Sequence, residues 1–541
     1  MNPIPDTQPV LGSAAMREAD RRTIEDHGLP GAVLMEAAGR AVVATILGRW
    51  GSQHPAGRDS DGRSAGAARP PLEVVVACGQ GNNAGDGFVV ARVLHAAGVR
   101  VHVLLAGDPR RFSSETRLHF RALQCLIGLG GAGLRLTPIS GADDLRKLEY
   151  GEVLVDALLG IGQCAPPRAP MDAIVDWMNR SGRPIVAVDI ATGLDSDSGR
   201  LYEPAIRASI TVTMASVKVG HCLAEGPAVS GEMVTAEIGI PDAIIREEAA
   251  AAGIFRTTDR AVRRLLEPWP RAGHKYTSGP AFVVGGSVKY PGAPVLASRA
   301  AGRAGCGYVV CHAPDAAAGL IAPALVDVPF AGLPSAPDGT VDGIRAADAV
   351  LERAERVRAL LVGPGLGRGD GVTDFVRRLL SRWTGPVVVD ADGLHALDPA
   401  FLRSLSGGPV ILTPHAAEFE RLGGSVDESI PAPARAMAAA RDWGTIVLLK
   451  GFPSVVAARD LAPVLSSTGN PALAAAGTGD VLAGLCVGLL ARGLEPFHAA
   501  VAALHIGGAA ADRYASRCGR STLMASDLLR ELGPLVRERF E

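Results

Sequence analysis

Residues 72–98 read LEVVVACGQGNNAGDGFVVARVLHAAG. The run over 72–78 has the length and valine content of a buried strand, Gly79–Gly87 reads as a Gly/Asn turn, and 88–98 carries apolar residues at helical spacing. VHVLLAG (101–107), VLVDALLG (153–160) and PIVAVDI (184–190) follow as further apolar strands with helical patterns between them. Such alternation predicts a parallel sheet with helices on both faces, a Rossmann-like doubly wound α/β unit. In that architecture ligands bind beyond the carboxyl ends of the strands.

On either side the pattern weakens. SQHPAGRDSDGRSAGAARPP (52–71) is small, polar and rich in Pro and Gly, and reads as a mobile surface insertion with no chemistry assigned. The Ala-rich, charged DAIIREEAAAAGIF (242–255) and two prolines flanking Trp269 mark a second break. Strand, turn and helix then restart at AFVVGG (281–286) and continue through GYVVC, ALLVG, PVVVD, PVILT and TIVLL, again a parallel α/β reading. A boundary near residue 250 gives two domains, 1–250 and 251–541.

Hydrophobic residues make up 48% and charged residues 20%, enough for each part to bury a core. With 54 Lys and Arg against 56 Asp and Glu, the net charge of -2 gives no electrostatic case for nucleic acid or an anionic membrane. None of the eight cysteines forms a CxxC pair or a Cys/His cluster of zinc-finger spacing. Scattered apolar cysteines, an N-terminus without a secretory pattern and apolar runs broken short of a membrane span point to a cytoplasmic protein. We expect small-molecule substrates, no nucleic acid, no membrane, and a homo-oligomer.

Gly79-Gln80-Gly81-Asn82-Asn83-Ala84 matches a loose GxGxxA dinucleotide fingerprint between a strand and a helix. The run continues Gly85-Asp86-Gly87, and Asn82, Asn83 and Asp86 add oxygen ligands that suit an alkali cation or ribose hydroxyls; a Gly/Asn turn capping a helix is the plainer alternative. Asp156 closes VLVD before Gly160-Ile161-Gly162, and Asp189 closes PIVAVD before Thr192-Gly193. Carboxylates at strand ends before Gly turns suit a reactive cleft, and equally suit N-caps. Lys218 either faces that cleft or is a surface lysine.

The segments MREADRRTIEDHGLPGAVLMEAAG (16–39), GQGNNAGDGFVVAR (79–92), DALLGIGQCAPPR (156–168), VAVDIATGLDSDSG (186–199) and ASVKVGHC (215–222) together resemble the NAD(P)H-hydrate epimerase domain over roughly residues 10–245. The resemblance implies substrate contacts from Asn82, Asn83, Ala84, Gly85 and Asp86, and from Gly160, Ile161, Gly162, Arg168 and Asp189. It also implies a potassium site of Asn83, Asp156 and Thr192. Inverting a hydrated ring carbon needs a proton donor and acceptor near its hydroxyl, and Asp189 is our candidate catalytic residue. Ala84 stands where the family usually has Gly, tolerable only at negative φ, and Ala191 where it usually has Pro.

The second half has no Walker A pattern but several Gly turns: GGS (285–287), GPGLG (363–367), LKG (449–451) and AAAGTGDVLAG (474–484). Gly477-Thr478-Gly479-Asp480 opens an apolar helix whose tip favours an anion. Asp480 there is either a first-turn acid favoured by the dipole or a base for a hydroxyl attacking phosphate. The ordered set AFVVGGSVKYPGAPVLASRAAGRAGCGYV, LLVGPGLG, VVVDADGLHAL, LTPHAAEFERL, VLLKGFPSVV and GNPALAAAGTGDVLAG is similar to ADP/ATP-dependent NAD(P)H-hydrate dehydratases over about 270–540. That likeness implies a ribokinase-like α/β fold. It implies contacts to the hydrate from Ala293, Gly365, His415 and the catalytic Asp480, and to the nucleotide from Lys450, Gly451, Phe452, Pro453, Ser454 and Gly479. Magnesium with ADP or ATP is the expected cofactor, ADP being the usual nucleotide of fused chains. Asp390 and Asp392 read as turn residues, and His415 is a structural imidazole in the plainer reading. Tyr276 after His274-Lys275, and Ala476, depart from the family pattern.

The implied function is repair of hydrated NADH and NADPH (NADHX and NADPHX), by epimerising the R and S forms and dehydrating the S form with ADP. The alternatives are a ribokinase-like kinase of a vitamin alcohol with an N-terminal ligand-binding module, or a first half that only senses ligand.

Overall fold

The computed structural model describes residues 4–51, 71–130, 133–266 and 278–541. Nearly all of the 52–71 stretch, Trp269 with its prolines, and His274, Lys275 and Tyr276 lie outside the described residues. The chain forms two compact units, one of Pro9–Ala252 and one of Gly253–Glu541 together with Met1–Gln8.

The unit of Pro9–Ala252 contains β1 (Gln8–Leu11), β2 (Glu73–Cys78), β3 (Arg100–Leu105), β4 (Leu134–Pro138), β5 (Val153–Ala157), β6 (Ile185–Val188), β7 (Ile210–Met214), β8 (Val217–Lys218) and β9 (Glu232–Ala236). Seven of them make a sheet in the order β4-β3-β2-β5-β6-β7-β9, every neighbouring pair parallel. β5, β6 and β7 are buried along their whole length, as strands covered on both faces must be. The order reverses between β2 and β5, so a crevice opens beyond the carboxyl ends of these two strands.

Helix Asn82–Ala96 follows β2 at that point. The Gly/Asn turn is thus shorter than expected: it ends at Gly81, and Asn82–Gly87 are helical. Helix–strand packing here leaves no room for side chains. A Cβ on Gly79 would sit 2.0 Å from the Leu158 carbonyl oxygen, and one on Gly87 would sit 2.7 Å from Cys78 Sγ and Ala157 Cβ. Ala84 is buried in the helix at ordinary negative φ, so its methyl is accommodated.

Helix Gly31–Trp50 corrects the expectation that apolar runs stop short of a membrane span: it is long and apolar enough to cross one by length and composition. Its composition has another cause, because Leu34, Ala38, Val42, Val43 and Ile46 belong to the same buried cluster as β2 and helix Asn82–Ala96.

The other unit contains β10 (Phe255–Arg256), β11 (Pro280–Val284), β12 (Tyr308–Pro314), β13 (Phe330–Leu333), β14 (Ala359–Val362), β15 (Val387–Val389), β16 (Val410–Leu412), β17 (Ile446–Leu449), β18 (Val455–Ala458) and β19 (Leu461–Leu465). Their order is β13-β12-β11-β14-β15-β16-β17-β18-β19-β10. From β13 to β17 the pairing is parallel, which meets the ribokinase-like α/β expectation. The uniformly parallel reading fails at β18, which runs antiparallel to both β17 and β19, while β19 pairs in parallel with β10. Only residues 450–454 join β17 to β18, too few for a crossover connection and sufficient for a hairpin. That short loop coincides with the expected nucleotide loop.

Candidate active sites

In the Pro9–Ala252 unit, the end of β5 places Asp156 at the bottom of the crevice, fully buried. Its Oδ1 accepts from Leu158 N at 3.2 Å and Thr192 Oγ1 at 2.8 Å, and its Oδ2 accepts from Thr192 N at 2.8 Å. Asp156 is therefore no N-cap but the clamp between two strand-end turns. Burial pushes its carboxyl up to about 6 against these hydrogen bonds. Leu159 N donates to Thr192 Oγ1 at 3.1 Å, and the Leu159 carbonyl accepts from Asn83 Nδ2 at 2.9 Å. Asn83, Asp156 and Thr192 thus meet around the Leu158–Leu159 backbone. Asn83 Oδ1 is buried without a hydrogen-bond partner, an oxygen in want of a donor or a cation.

At the end of β6, Asp189 adopts φ +66°, a conformation that a non-glycine residue holds only where its surroundings enforce it. Asp189 N donates to Val212 O at 2.8 Å, and Asp189 Oδ1 accepts from Met214 N at 2.9 Å, from Thr213 Oγ1 at 3.3 Å and from Lys218 Nζ. Lys218 is wholly buried and also donates to Thr213 Oγ1 and Met214 O, both at 2.9 Å. The surface-lysine alternative is overturned. Sequence spacing left it open because position along a chain does not report depth.

Two more carboxyls feel the charges of this pair. Burial first, then the charges of Asp189 and Asp20, hold Asp86 well above the carboxylate range, with Lys218 opposing. Burial and Asp189 push Asp20 up to about 6. Asp20 was missed: it lies within the 16–39 segment, on helix Ser13–Arg21, and nothing in that segment's spacing distinguishes it from its acidic neighbours. The turn Gly160–Gly162 lies alongside, its Ile161 carbonyl accepting from Ser196 Oγ at 3.2 Å and Arg17 Nη2 at 3.4 Å. Asn82 is exposed and accepts from Ser113 Oγ at 2.9 Å, and Arg168 is exposed further along the loop.

In the other unit, Gly477 takes φ +87° as the N-cap of helix Thr478–Ala491, a left-handed conformation open to glycine. Asp480 stands in the first turn, and its carboxyl makes no hydrogen bond among the described residues. Burial, then the charge of Asp390, pushes its carboxyl up to about 7, with Lys450 pulling the other way. Lys450 Nζ donates to Asp390 Oδ1 at 3.0 Å and lies 3.9 Å from Glu418 Oε2. Burial opposes its charge, but these two carboxylates raise its proton affinity above the ordinary lysine value. A Cβ on Gly479 would be 3.5 Å from Lys450 Nζ, so the ammonium reaches the helix tip.

Asp390 is not a plain turn residue: it is buried and accepts from Lys450 and, at 2.6 Å, from Thr413 Oγ1. Asp392 accepts from Gly367 N of the GPGLG turn at 2.9 Å. Gly365 lies against Ala293, 3.1 Å from that residue's Cβ were it given its own. His415 is the N-cap of helix Ala416–Arg421, its Nδ1 accepting from Glu418 N at 3.3 Å while Glu418 Oε2 accepts from His415 N at 2.9 Å. Gly451, Phe452, Pro453 and Ser454 form the hairpin beyond Lys450, closed by Ser454 Oγ donating to Gly451 O at 2.8 Å. Glu418 was missed, although it lies three residues past His415 in the quoted LTPHAAEFERL.

Fold and clefts define a chain of two α/β enzyme units, one built on a carboxylate cluster with a buried lysine and one on a helix tip that a lysine reaches. A family model described as NAD(P)H-hydrate dehydratase matches residues 281–533, and one described as YjeF-related protein N-terminus matches residues 31–220. A bifunctional NAD(P)H-hydrate repair enzyme of Salinibacter ruber is 43% identical over 544 residues, covering 98% of this chain and 97% of that protein. The corresponding enzyme of Moorella thermoacetica is 35% identical, covering 98% and 97%. A solved structure of the ADP/ATP-dependent NAD(P)H-hydrate dehydratase from Bacillus subtilis, co-crystallised with ATP/Mg2+, is 36% identical and covers 52% of this chain and 98% of that one, with a TM-score of 0.47. The chain belongs to the family of bifunctional NAD(P)H-hydrate repair enzymes.

Proposed function

We infer that this protein repairs hydrated NADH and NADPH. The unit of Pro9–Ala252 exchanges the R and S epimers, and the other unit dehydrates the S epimer with ADP or ATP. The observation that carries the reading is Asp480, a carboxyl without a hydrogen-bond partner at a helix tip within reach of Lys450. A carboxylate that titrates near neutrality takes a proton from a ring hydroxyl effectively at cellular pH. The hydroxyl oxygen then attacks the terminal phosphate of the nucleotide, whose charge Lys450 and the Gly477–Asp480 backbone receive. Phosphate leaves the ring carbon with its bonding pair, an adjacent ring proton is lost, and the double bond is restored. Hydroxide leaves poorly, phosphate well.

Ala293, Gly365 and His415 border the hydrate, and Lys450–Ser454 with Gly479 border the nucleotide. Among the described residues no three His, Cys, Asp or Glu side chains gather into a metal site. Magnesium fits here as an ion carried by the nucleotide phosphates and neutralising them, since it binds through few protein ligands. Potassium fits the first unit: Asn83 Oδ1 is an orphaned buried acceptor beside the Asp156–Thr192 clamp, and these three residues would hold it. There it would supply positive charge near the substrate. Asn82–Asp86, Gly160–Gly162 and Arg168 border the hydrate in that unit, with Asp189 the acid/base at its ring. All eight cysteines are free, which supports a reduced, cytoplasmic setting.

The test is to feed chemically prepared hydrate to the intact protein with ADP, then with ATP, with and without potassium. Reduced-nicotinamide absorbance is expected to return in full from an R/S mixture. Recovery of only the S portion would remove the epimerase assignment, and recovery with neither nucleotide would remove the dehydratase assignment.

A further inference from the structure

The two segments assigned to the nucleotide, Lys450–Ser454 and the helix tip at Gly479, are joined through residues 466–477, which enter no strand. This connection starts on the hairpin, where Ser466 N donates to Ser454 O at 3.0 Å. It ends on the tip, where Thr478 Oγ1 donates back to Leu473 O at 2.7 Å. The hairpin is set by the pairing of β17 with β18. Helix Thr478–Ala491 is set by close core packing: a Cβ on Gly484 would sit 2.2 Å from Ala297 O, and one on Gly488 2.5 Å from Ala301 O. The connection has no strand partner, so its polar groups must find partners elsewhere. They find them on helix Pro496–Cys518.

His505, Gly508 and Asp512 stand at i, i+3 and i+7 of that helix and so share one face. The His505 carbonyl accepts from Thr468 Oγ1 at 2.8 Å, and His505 Nδ1 lies 2.8 Å from Thr257 Oγ1, which accepts from Ser467 N at 2.9 Å. Gly508 lets the chain come close: a Cβ there would be 2.5 Å from Thr468 Oγ1 and 2.8 Å from Gly469 N. Asp512 Oδ2 accepts from Gly469 N at 2.9 Å, and its Oδ1 accepts from Asn470 Nδ2 at 2.8 Å. Asn470 Oδ1 in turn accepts from Ala472 N at 3.0 Å and caps the 3-10 turn Pro471–Ala474. Asp512 pairs with no lysine or arginine among the described residues, since the nearby Arg513 and Arg517 hold Glu531. Both oxygens of a charged acceptor, the stronger kind, are thus directed at the connection.

We propose that Asp512 is a positioning residue of the dehydratase. Through Gly469 and Asn470 it holds the 466–477 connection, so that the Lys450–Ser454 hairpin and the Gly477–Gly479 tip receive the nucleotide phosphates together. The proposal rests on the nucleotide site assigned above. Asp480 is carried by the packed helix, so loss of Asp512 loosens the nucleotide more than it displaces the base. A ligand that spans two segments binds less tightly when their spacing is no longer pre-set.

The experiment is steady-state dehydration of S hydrate by the full chain, with ADP affinity measured by calorimetry in the presence of magnesium. Asp512→Asn keeps the side-chain shape but turns one accepting oxygen into an NH2 group that meets a donor. KM and Kd for ADP are expected to rise about tenfold, with kcat at saturating ADP and KM for the hydrate within about twofold of wild type. Epimer exchange should be unchanged, because the substitution lies in the other compact unit. Asn470→Ser keeps an oxygen for Ala472 N but removes the amide that reaches Asp512, and should weaken ADP to a similar degree. The double variant should be no weaker than the weaker single one, since both remove the same link. Unchanged ADP affinity, a loss shared equally by kcat and the hydrate KM, or additive losses in the double variant would overturn the proposal. If Asp512→Asn does not fold, Asn470→Ser decides by the same affinity measurement. A wild-type chain that binds neither ADP nor ATP would instead overturn the nucleotide-site reading.

Discussion

Each unit buries a lysine against an aspartate at the end of a parallel sheet, yet the two lysines have different freedom. Lys218 is 0% exposed with every donor used, whereas Lys450 is 22% exposed and makes one hydrogen bond, to Asp390. The first is a strut: it fixes Asp189 in a strained backbone conformation and offsets one of several carboxylate charges. In the proposed reading the second is a handle, with donors left for a phosphate at the neighbouring helix tip. On that reading the same kind of ion pair serves geometry in one cleft and ligand charge in the other, and burial of the ammonium separates the two uses.

The largest effect should come from removing the base beside the handle. Asp480→Asn is expected to lower ADP-dependent dehydration about 10³-fold, within the range for loss of a general acid–base group. Epimer exchange by the same preparation should be unchanged, because the substitution lies in the other compact unit. Loss of both activities would show that the clefts do not work independently.

Removing the strut's partner should act on stability as well as rate. Asp189→Asn leaves a buried ammonium without its counter-ion, at a cost of about 3 kcal/mol or more. Epimer exchange should fall about 10²-fold, and the melting transition of the Pro9–Ala252 unit should move down. Adding Lys218→Met should restore much of the stability without restoring exchange. If the double variant stayed as unstable as the single one, Lys218 would not be the reason Asp189 matters to the fold.

What the sequence disclosed follows the same division. Strand runs, Gly turns and the helix tip were legible because period, glycine and dipole are local properties. The depth of Lys218 and the engagement of Asp390 by Lys450 and Thr413 depend on partners 29, 60 and 23 positions away, the coupling of Asp20 to Asp189 depends on helix placement, and no spacing rule reports them. The β17–β18 hairpin was hidden for a related reason: VLLKGFPSVV reads as strand and turn, but strand direction depends on the length of a connection whose second strand is short. Ala84 was legible in both respects, since the demand for negative φ was stated from its side chain alone and the helix satisfies it.

The smallest expected effect is a displacement of pH dependence in the dehydratase. Asp480 is pushed up to about 7 by burial and then by Asp390, so its base form accumulates as pH rises through that value. Dehydration kcat/KM should therefore rise from pH 6 to 8 and level off above. Asp390→Asn removes a negative charge that resists ionisation of Asp480, and it releases Lys450 to sit nearer the helix tip, so both consequences lower the proton affinity of Asp480. The acid limb should move down by about one unit, with a smaller change in plateau rate than Asp480→Asn produces. A limb that stayed in place would mean that burial alone sets the base. The charge network joining Asp390, Lys450 and Asp480 would then serve to hold the nucleotide rather than to tune the proton transfer.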